Sequence, residues 1–164
     1  YVIPRNEGGS KGYPFFLKLL EHLSTECTFI VVGTRLLELK KYKNVMNLGK
    51  VPTQDLYHLY RKSSLTIVPS AYSEAFGRVI IESVINGTPV FTSPSCGALH
   101  EFKGKPYVKS LPLDVHTWIK EIKSFVSSRV RVPEKEIRRI KKTYSPEACA
   151  EELMTLIRVI TDVR

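Results

Sequence analysis

A chain of 164 residues with 43% hydrophobic and 25% charged residues can bury a sizeable core as one domain, which excludes a disordered or fibrous protein. No apolar run reaches the roughly 18 residues of a membrane span. The formal charge of +9 sits mainly in Lys40-Lys41-Tyr42-Lys43 and in residues 129–142. It suits a solvated surface, or an anionic membrane surface or lipid-linked acceptor. Nucleic acid fits poorly, because neither stretch interleaves bases with aromatic side chains.

In chain order, short β-branched runs alternate with amphipathic helical segments. Tyr1-Val2-Ile3-Pro4 reads as the end of a strand, so further chain is expected upstream. Gly8-Gly9-Ser10-Lys11-Gly12 is a turn, and residues 14–23 carry Phe16, Leu19, Leu20 and Leu23 on one helical stripe. Residues 28–32 form an apolar run closed by Gly33, as a strand buried on both faces should. A short helix is expected at 36–39 and a strand at 45–48, followed by Gly49. Thr53 predicts an N-cap for a helix through Tyr60 with Leu56, Leu59 and Tyr60 inward. Residues 65–68 are a strand stopped by Pro69, and 76–86 a helix with Gly87 as its C-terminal stop. Strands follow at 89–92 and 107–108, with a helical turn at 99–102 between them. Val115, Trp118, Ile119, Ile122, Phe125 and Val126 recur at helical spacing. A basic helix is expected at 133–142. Ser145 and Pro146 open a last helix, with Leu153, Leu156, Ile157 and Ile160 along one face.

Some six alternations of strand and helix predict an α/β fold: a Rossmann-like, doubly wound parallel sheet with helices on both faces. Ligands of such sheets bind beyond the carboxyl ends of the strands. Two segments there carry chemistry. In the first, Arg5, Gly8-Gly9 and Lys11-Gly12 bring two cations and flexible N–H groups to a helix mouth. That is a phosphate site in outline, or equally an exposed glycine turn with two solvated bases. It is neither a Walker A loop nor GxGxxG.

The second segment is Ser73-Glu74-Ala75-Phe76-Gly77-Arg78-Val79-Ile80-Ile81-Glu82. With both glutamates on one ideal helix, eight residues separate them by about 12 Å of rise and about 80°. They then cannot share a proton or a metal, but can accept from two hydroxyl-rich parts of an extended ligand whose diphosphate sits at the helix N-terminus. The plainer alternatives are an Arg78–Glu82 surface pair and a dipole-favoured Glu74 in the first turn.

The run Ser73 to Ser83, followed by Asn86-Gly87-Thr88-Pro89-Val90, closely resembles the signature of the retaining GT-B-fold glycosyltransferases of family 4 (glycosyltransferases group 1). The shared features are two glutamates with seven residues between them, Phe-Gly after the first, and a Gly-x-Pro-Val strand behind. Arg5 and Lys11-Gly12 match the family's first loop, and Thr28 to Gly33 its second strand. Asn47-Leu48-Gly49-Lys50-Val51 resembles the segment facing the nucleotide base, and Ser95-Cys96-Gly97 through Glu101 a later glycine loop and acid. The family often has two adjacent glycines where this chain has Cys96-Gly97.

The resemblance implies that residues 1–164 are the donor half of a GT-B enzyme, binding a nucleotide diphosphate sugar, with an N-terminal acceptor domain lying outside this sequence. Arg5 and Lys11 would neutralise the diphosphate leaving group, Glu82 would bind the ribose, and Glu74 the transferred sugar. Gly12, Gly49, Lys50, Val51, Ala75, Phe76 and Gly77 would complete the donor site. Hexosyl transfer would retain anomeric configuration with no metal or other cofactor, and the isolated domain would be inactive. The three aspartates, Asp55, Asp114 and Asp162, form no Asp-x-Asp cation motif. Cys27, Cys96 and Cys149 lack disulfide or zinc spacing, which fits a cytoplasmic protein, with a membrane-peripheral one as the variant. The rival expectations are a non-catalytic nucleotide or nucleotide-sugar binder and a sugar-nucleotide epimerase.

Overall fold

The computed structural model describes residues 11–33 and 35–161. Arg5, the Gly8-Gly9 turn and the strand expected at Val2-Ile3 lie outside them. The described elements run α1 (Tyr13–Leu23), β1 (Phe29–Val32), β2 (Val45–Gly49), α2 (Thr53–Lys62), β3 (Thr66–Val68), α3 (Arg78–Ile85), β4 (Val90–Thr92), β5 (Val108–Ser110), α4 (Val115–Ser128), α5 (Glu134–Thr143) and α6 (Pro146–Thr161). Two 3₁₀ turns span Leu37–Lys41 and Gly97–Phe102. Every described strand pair is parallel: β1 with β2, and β3–β4–β5 in that order.

Parallel strands need helices over both faces, and the sequence supplies them. Phe16, Leu19, Leu20 and Leu23 of α1 meet Trp118, Ile122 and Phe125 of α4 over Val31, Ile67 and Phe91 of the strands. On the other side Ile80, Ile81 and Val84 of α3 pack with Val90, Val108 and Ile140. All residues of β3 and β4 are buried. This is the expected doubly wound α/β architecture.

Several helix ends differ from the sequence expectation, each for a local reason. Thr53 is not an N-cap: α2 starts on Thr53 itself, with Pro52 in the cap position and no side-chain cap. A proline before the first turn presets the backbone at no hydrogen-bond cost. More consequentially, α3 starts at Arg78 rather than at Phe76. Gly77 is its cap, in the left-handed region at φ 84°, where a helix cannot continue backwards. At its other end Gly87, at φ 83°, donates to the Val84 carbonyl at 3.0 Å, the expected glycine stop. Ser145 does cap α6, its Oγ accepting from the Ala148 N–H at 3.1 Å. The apolar stripe of α6 is solvent-exposed: Leu153, Leu156, Ile157 and Ile160 are 58%, 54%, 44% and 72% accessible.

Candidate functional site

A cleft of about 790 Å³ opens beyond the carboxyl ends of the strands, where doubly wound sheets bind ligands. Gly33 after β1, Lys50 and Val51 after β2, and Ser70 after β3 line it together with Lys11, the 73–79 segment and Glu82. Lys11, Lys50, Val51, Glu74, Ala75, Phe76, Gly77 and Glu82 therefore converge, as the sequence suggested. Gly12 and Gly49 are not on the wall; they shape the backbone behind it. Arg5 lies outside the described residues.

Gly12 shows why. It precedes α1 at φ 70°, and a Cβ there would stand 1.6 Å from the Pro69 carbonyl oxygen. Only glycine lets the α1 entry cross the end of β3 this closely, and the crossing carries Lys11 to the segment that follows β3. The Lys11 ammonium reaches Glu74 Oε1 at 3.0 Å. The buried Ser70 hydroxyl donates to the same oxygen, and the Ser70 carbonyl accepts from Ser93 Oγ at 2.6 Å.

Glu74 is in a loop, four residues before α3, so the ideal-helix spacing between the two glutamates does not apply. The loop is held by backbone bonds to the turn after β4. The Glu74 N–H donates to Ser95 O at 2.7 Å, the Gly97 N–H to Glu74 O at 3.0 Å and the Ala98 N–H to Phe76 O at 2.7 Å. Gly97 is obligatory here, since a Cβ would come within 2.1 Å of the Ala75 carbonyl oxygen. Cys96 beside it is in ordinary extended backbone, φ −107°, so the family's extra glycine is not required at that position. Its side chain is buried, and its Sγ accepts from Thr92 Oγ1 at 3.1 Å. Burial pushes the thiol's pKa up, which keeps it a neutral packing group.

Glu82 lies about one turn inside α3 and is half-buried. The Arg78 pair anticipated as a structural alternative does not form; Glu82 Oε2 instead accepts from the Tyr60 hydroxyl at 3.3 Å. Burial raises the Glu82 pKa, and the Tyr60 hydroxyl and the nearby Arg78 charge lower it by less. The N-terminus of α3, with its first N–H groups free of helical partners, opens on the same cleft. His100 is exposed, bonded to Gly97 O at 2.5 Å, and is not on the wall. Glu101 is occupied by Arg139 and Tyr144.

Ser70 and Tyr60 escaped the sequence reading. Ser70 had a signal, falling immediately after a strand and its Pro69. Tyr60 was read correctly as inward-facing, but nothing local ties it to a residue 22 positions later. No three His, Cys, Asp or Glu side chains among the described residues cluster as a cation site would. No helix among them is long and apolar enough to cross a membrane.

The fold has many solved counterparts. Sucrose-phosphate synthase from Thermosynechococcus elongatus superposes with a TM-score of 0.79 at 19% identity, over 99% of this chain and 45% of that one. A glycosyltransferase from Rickettsia africae gives 0.80 at 18% identity, over 98% of this chain and 47% of that one. HepE from Anabaena, solved with UDP and glucose, gives 0.64 at 18% identity, over 91% and 45%. The chain thus spans about half the length of the structures it matches. No curated protein sequence matches it significantly. The family model for glycosyl transferases group 1 matches residues 8–145, and the chain belongs to that family.

Proposed function

We propose that the chain is the donor-binding half of a retaining glycosyltransferase of family 4, holding a nucleotide diphosphate sugar in the cleft beyond the strand ends. The observation that supports this most is the convergence of Lys11, Glu74, Glu82 and the α3 N-terminus on one cleft. A diphosphate suits the ammonium and the free N–H groups. Glu82 accepts from the ribose hydroxyls and Glu74 from the transferred sugar. Lys50, Val51 and the Gly49 turn border the base. Lys11, with Arg5, stabilises the diphosphate as it leaves. That scheme needs no metal, because the positive charge comes from side chains and N–H groups.

In this reading the acceptor is bound by a second half. The exposed apolar stripe of α6 gives that half a surface to cover, and a chain of about half the length of its structural counterparts leaves room for it. Lys135, Arg138, Lys141 and Lys142 are exposed on α5, a basic face suited to an anionic membrane surface or a lipid-linked acceptor. Without the second half, nothing orients the acceptor and transfer is negligible.

Thermal unfolding in the presence of UDP, GDP or ADP, with chelator and without added metal, tests the reading. One of them at about 100 times its Kd adds roughly 2.7 kcal/mol. Stabilisation that appears only with Mg²⁺ or Mn²⁺ contradicts the metal-free scheme; none with any nucleotide contradicts the site.

A further inference from the structure

We propose that Tyr60 is a positioning residue for the nucleotide: its hydroxyl fixes one oxygen of Glu82 so that the other is held ready for the ribose. The inference rests on the reading of Glu82 as the ribose acceptor and adds the group that orients it.

The backbones of the two residues are already locked without that hydroxyl. Thr88 Oγ1 donates to the Tyr60 carbonyl. Arg61 Nη1 donates to Asn86 Oδ1 at 2.8 Å, and Asn86 Nδ2 donates to the Glu82 carbonyl at 2.8 Å. The end of α2 is thus joined to the C-terminal end of α3 and the turn after it, independently of the Tyr60–Glu82 contact. The Tyr60 side chain itself is 3% exposed, so its ring cannot swing. Its hydroxyl is a fixed donor, 3.3 Å from Glu82 Oε2.

Glu82 has no such rigidity of its own. It is an unbranched side chain on a half-buried face, with several rotamers open to it. Among the described residues Oε1 accepts no hydrogen bond. One oxygen held by a buried donor and the other left to solvent in a cleft is the arrangement that preorganises a carboxylate for a ligand hydroxyl. The merely structural alternative is that Glu82 satisfies the hydroxyl of a buried tyrosine. That alternative affects folding and is blind to the ligand's hydroxyls.

Tyr60→Phe separates the two, because phenylalanine keeps the ring volume and removes only the donor. The probes are whichever of UDP, GDP or ADP binds most tightly, and its 2′-deoxy and 3′-deoxy forms. Calorimetric titration of the 164-residue chain gives the affinity ratio of parent to deoxy form. In the unaltered chain at least one deoxy form binds about tenfold more weakly, the loss of one bond to a charged acceptor. In Tyr60→Phe the parent weakens by about fivefold or more while that deoxy form binds as before, so the ratio collapses towards one. In a Glu82→Ala background Tyr60→Phe changes the ratio no further. Because the ratio is taken within one variant, a smaller folded fraction cancels out of it. An undiminished ratio in Tyr60→Phe overturns the positioning role while leaving Glu82 as the ribose acceptor. An unaltered chain indifferent to both hydroxyls overturns the ribose reading, and the role of Tyr60 with it.

Discussion

Two pairs of glutamates differ in how far the protein itself engages their carboxylates. Glu101 and Glu136 each have both oxygens engaged by the protein. Glu136 accepts from the Tyr107 hydroxyl at 2.8 Å, Lys105 Nζ at 3.1 Å and Arg139 Nε at 3.2 Å. Glu101 takes Nη1 of the same Arg139 and, at 3.3 Å, the Tyr144 hydroxyl. Glu74 and Glu82, on the cleft, are each held through a single oxygen. The acidity of the two sets diverges accordingly. The Tyr107 hydroxyl, then Lys105 and Arg139, hold Glu136 down at about 2, whereas burial pushes Glu82 above its ordinary 4.5. Carboxylates with both oxygens engaged by the protein tie α5 to the 3₁₀ turn at Gly97–Phe102 and to the segment leading into β5. Carboxylates with one oxygen to spare have capacity for a ligand.

The largest expected effect falls on the cleft's backbone. Gly12→Ala puts a Cβ 1.6 Å from the Pro69 carbonyl in a left-handed residue. It should destabilise the chain by more than about 3 kcal/mol and abolish nucleotide binding, read as the thermal midpoint and as the loss of nucleotide-induced stabilisation. A variant as stable as the parent would mean that α1 and β3 do not cross as described.

Next comes Glu136→Ala, which leaves the buried Tyr107 hydroxyl without its acceptor. The cost is about 1–3 kcal/mol, with nucleotide affinity unchanged. The pH dependence carries a sign. A carboxylate whose folded pKa is lowered stabilises the chain above its ordinary 4.5, and that contribution disappears as the pH falls from there towards about 2. The gap in denaturant midpoint between parent and variant therefore narrows over that window. A gap that stays constant or widens on acidification would refute the assignment.

The smallest effect has the opposite sign. A raised folded pKa favours the neutral acid, so the contribution of Glu82 is most favourable below 4.5 and is lost as the pH rises through the raised value. Glu82→Gln, which can still accept from Tyr60, is expected to stabilise the chain at pH 7 by about 0.5–1 kcal/mol, with no gain at pH 4. Stability would rise while nucleotide affinity fell. Denaturant titration at the two pH values checks it; destabilisation at pH 7 would place Glu82 with the scaffold glutamates.

Much of the fold was legible in the sequence, and what was not has physical causes. Periodicity placed the helices and strands of the described span, and the Glu74–Glu82 run with its Phe-Gly lines the cleft beyond the strand ends. The start of α3 was misjudged because Phe76 fits the apolar pattern, while the φ of 84° at Gly77 is invisible to hydrophobic periodicity. The Arg78–Glu82 alternative followed from i, i+4 spacing, yet a tyrosine from α2 takes the carboxylate instead. Lys11 and Glu74, 63 residues apart, meet only because Gly12 allows α1 to cross the end of β3. On α6 the periodicity gives the apolar stripe, but that stripe faces solvent instead of the core.

The most direct test of the account is calorimetric titration of Glu82→Ala and Glu74→Ala with a nucleoside diphosphate and with its sugar conjugate. The ribose is common to both ligands, so Glu82→Ala is expected to weaken both by similar factors, roughly 10- to 150-fold. Glu74→Ala is expected to weaken only the conjugate, because its partner is the sugar. Equal weakening of both ligands by Glu74→Ala would contradict the assignment of that residue to the sugar. Unchanged affinities in both variants would return Glu74 and Glu82 to the scaffold beside Glu101 and Glu136.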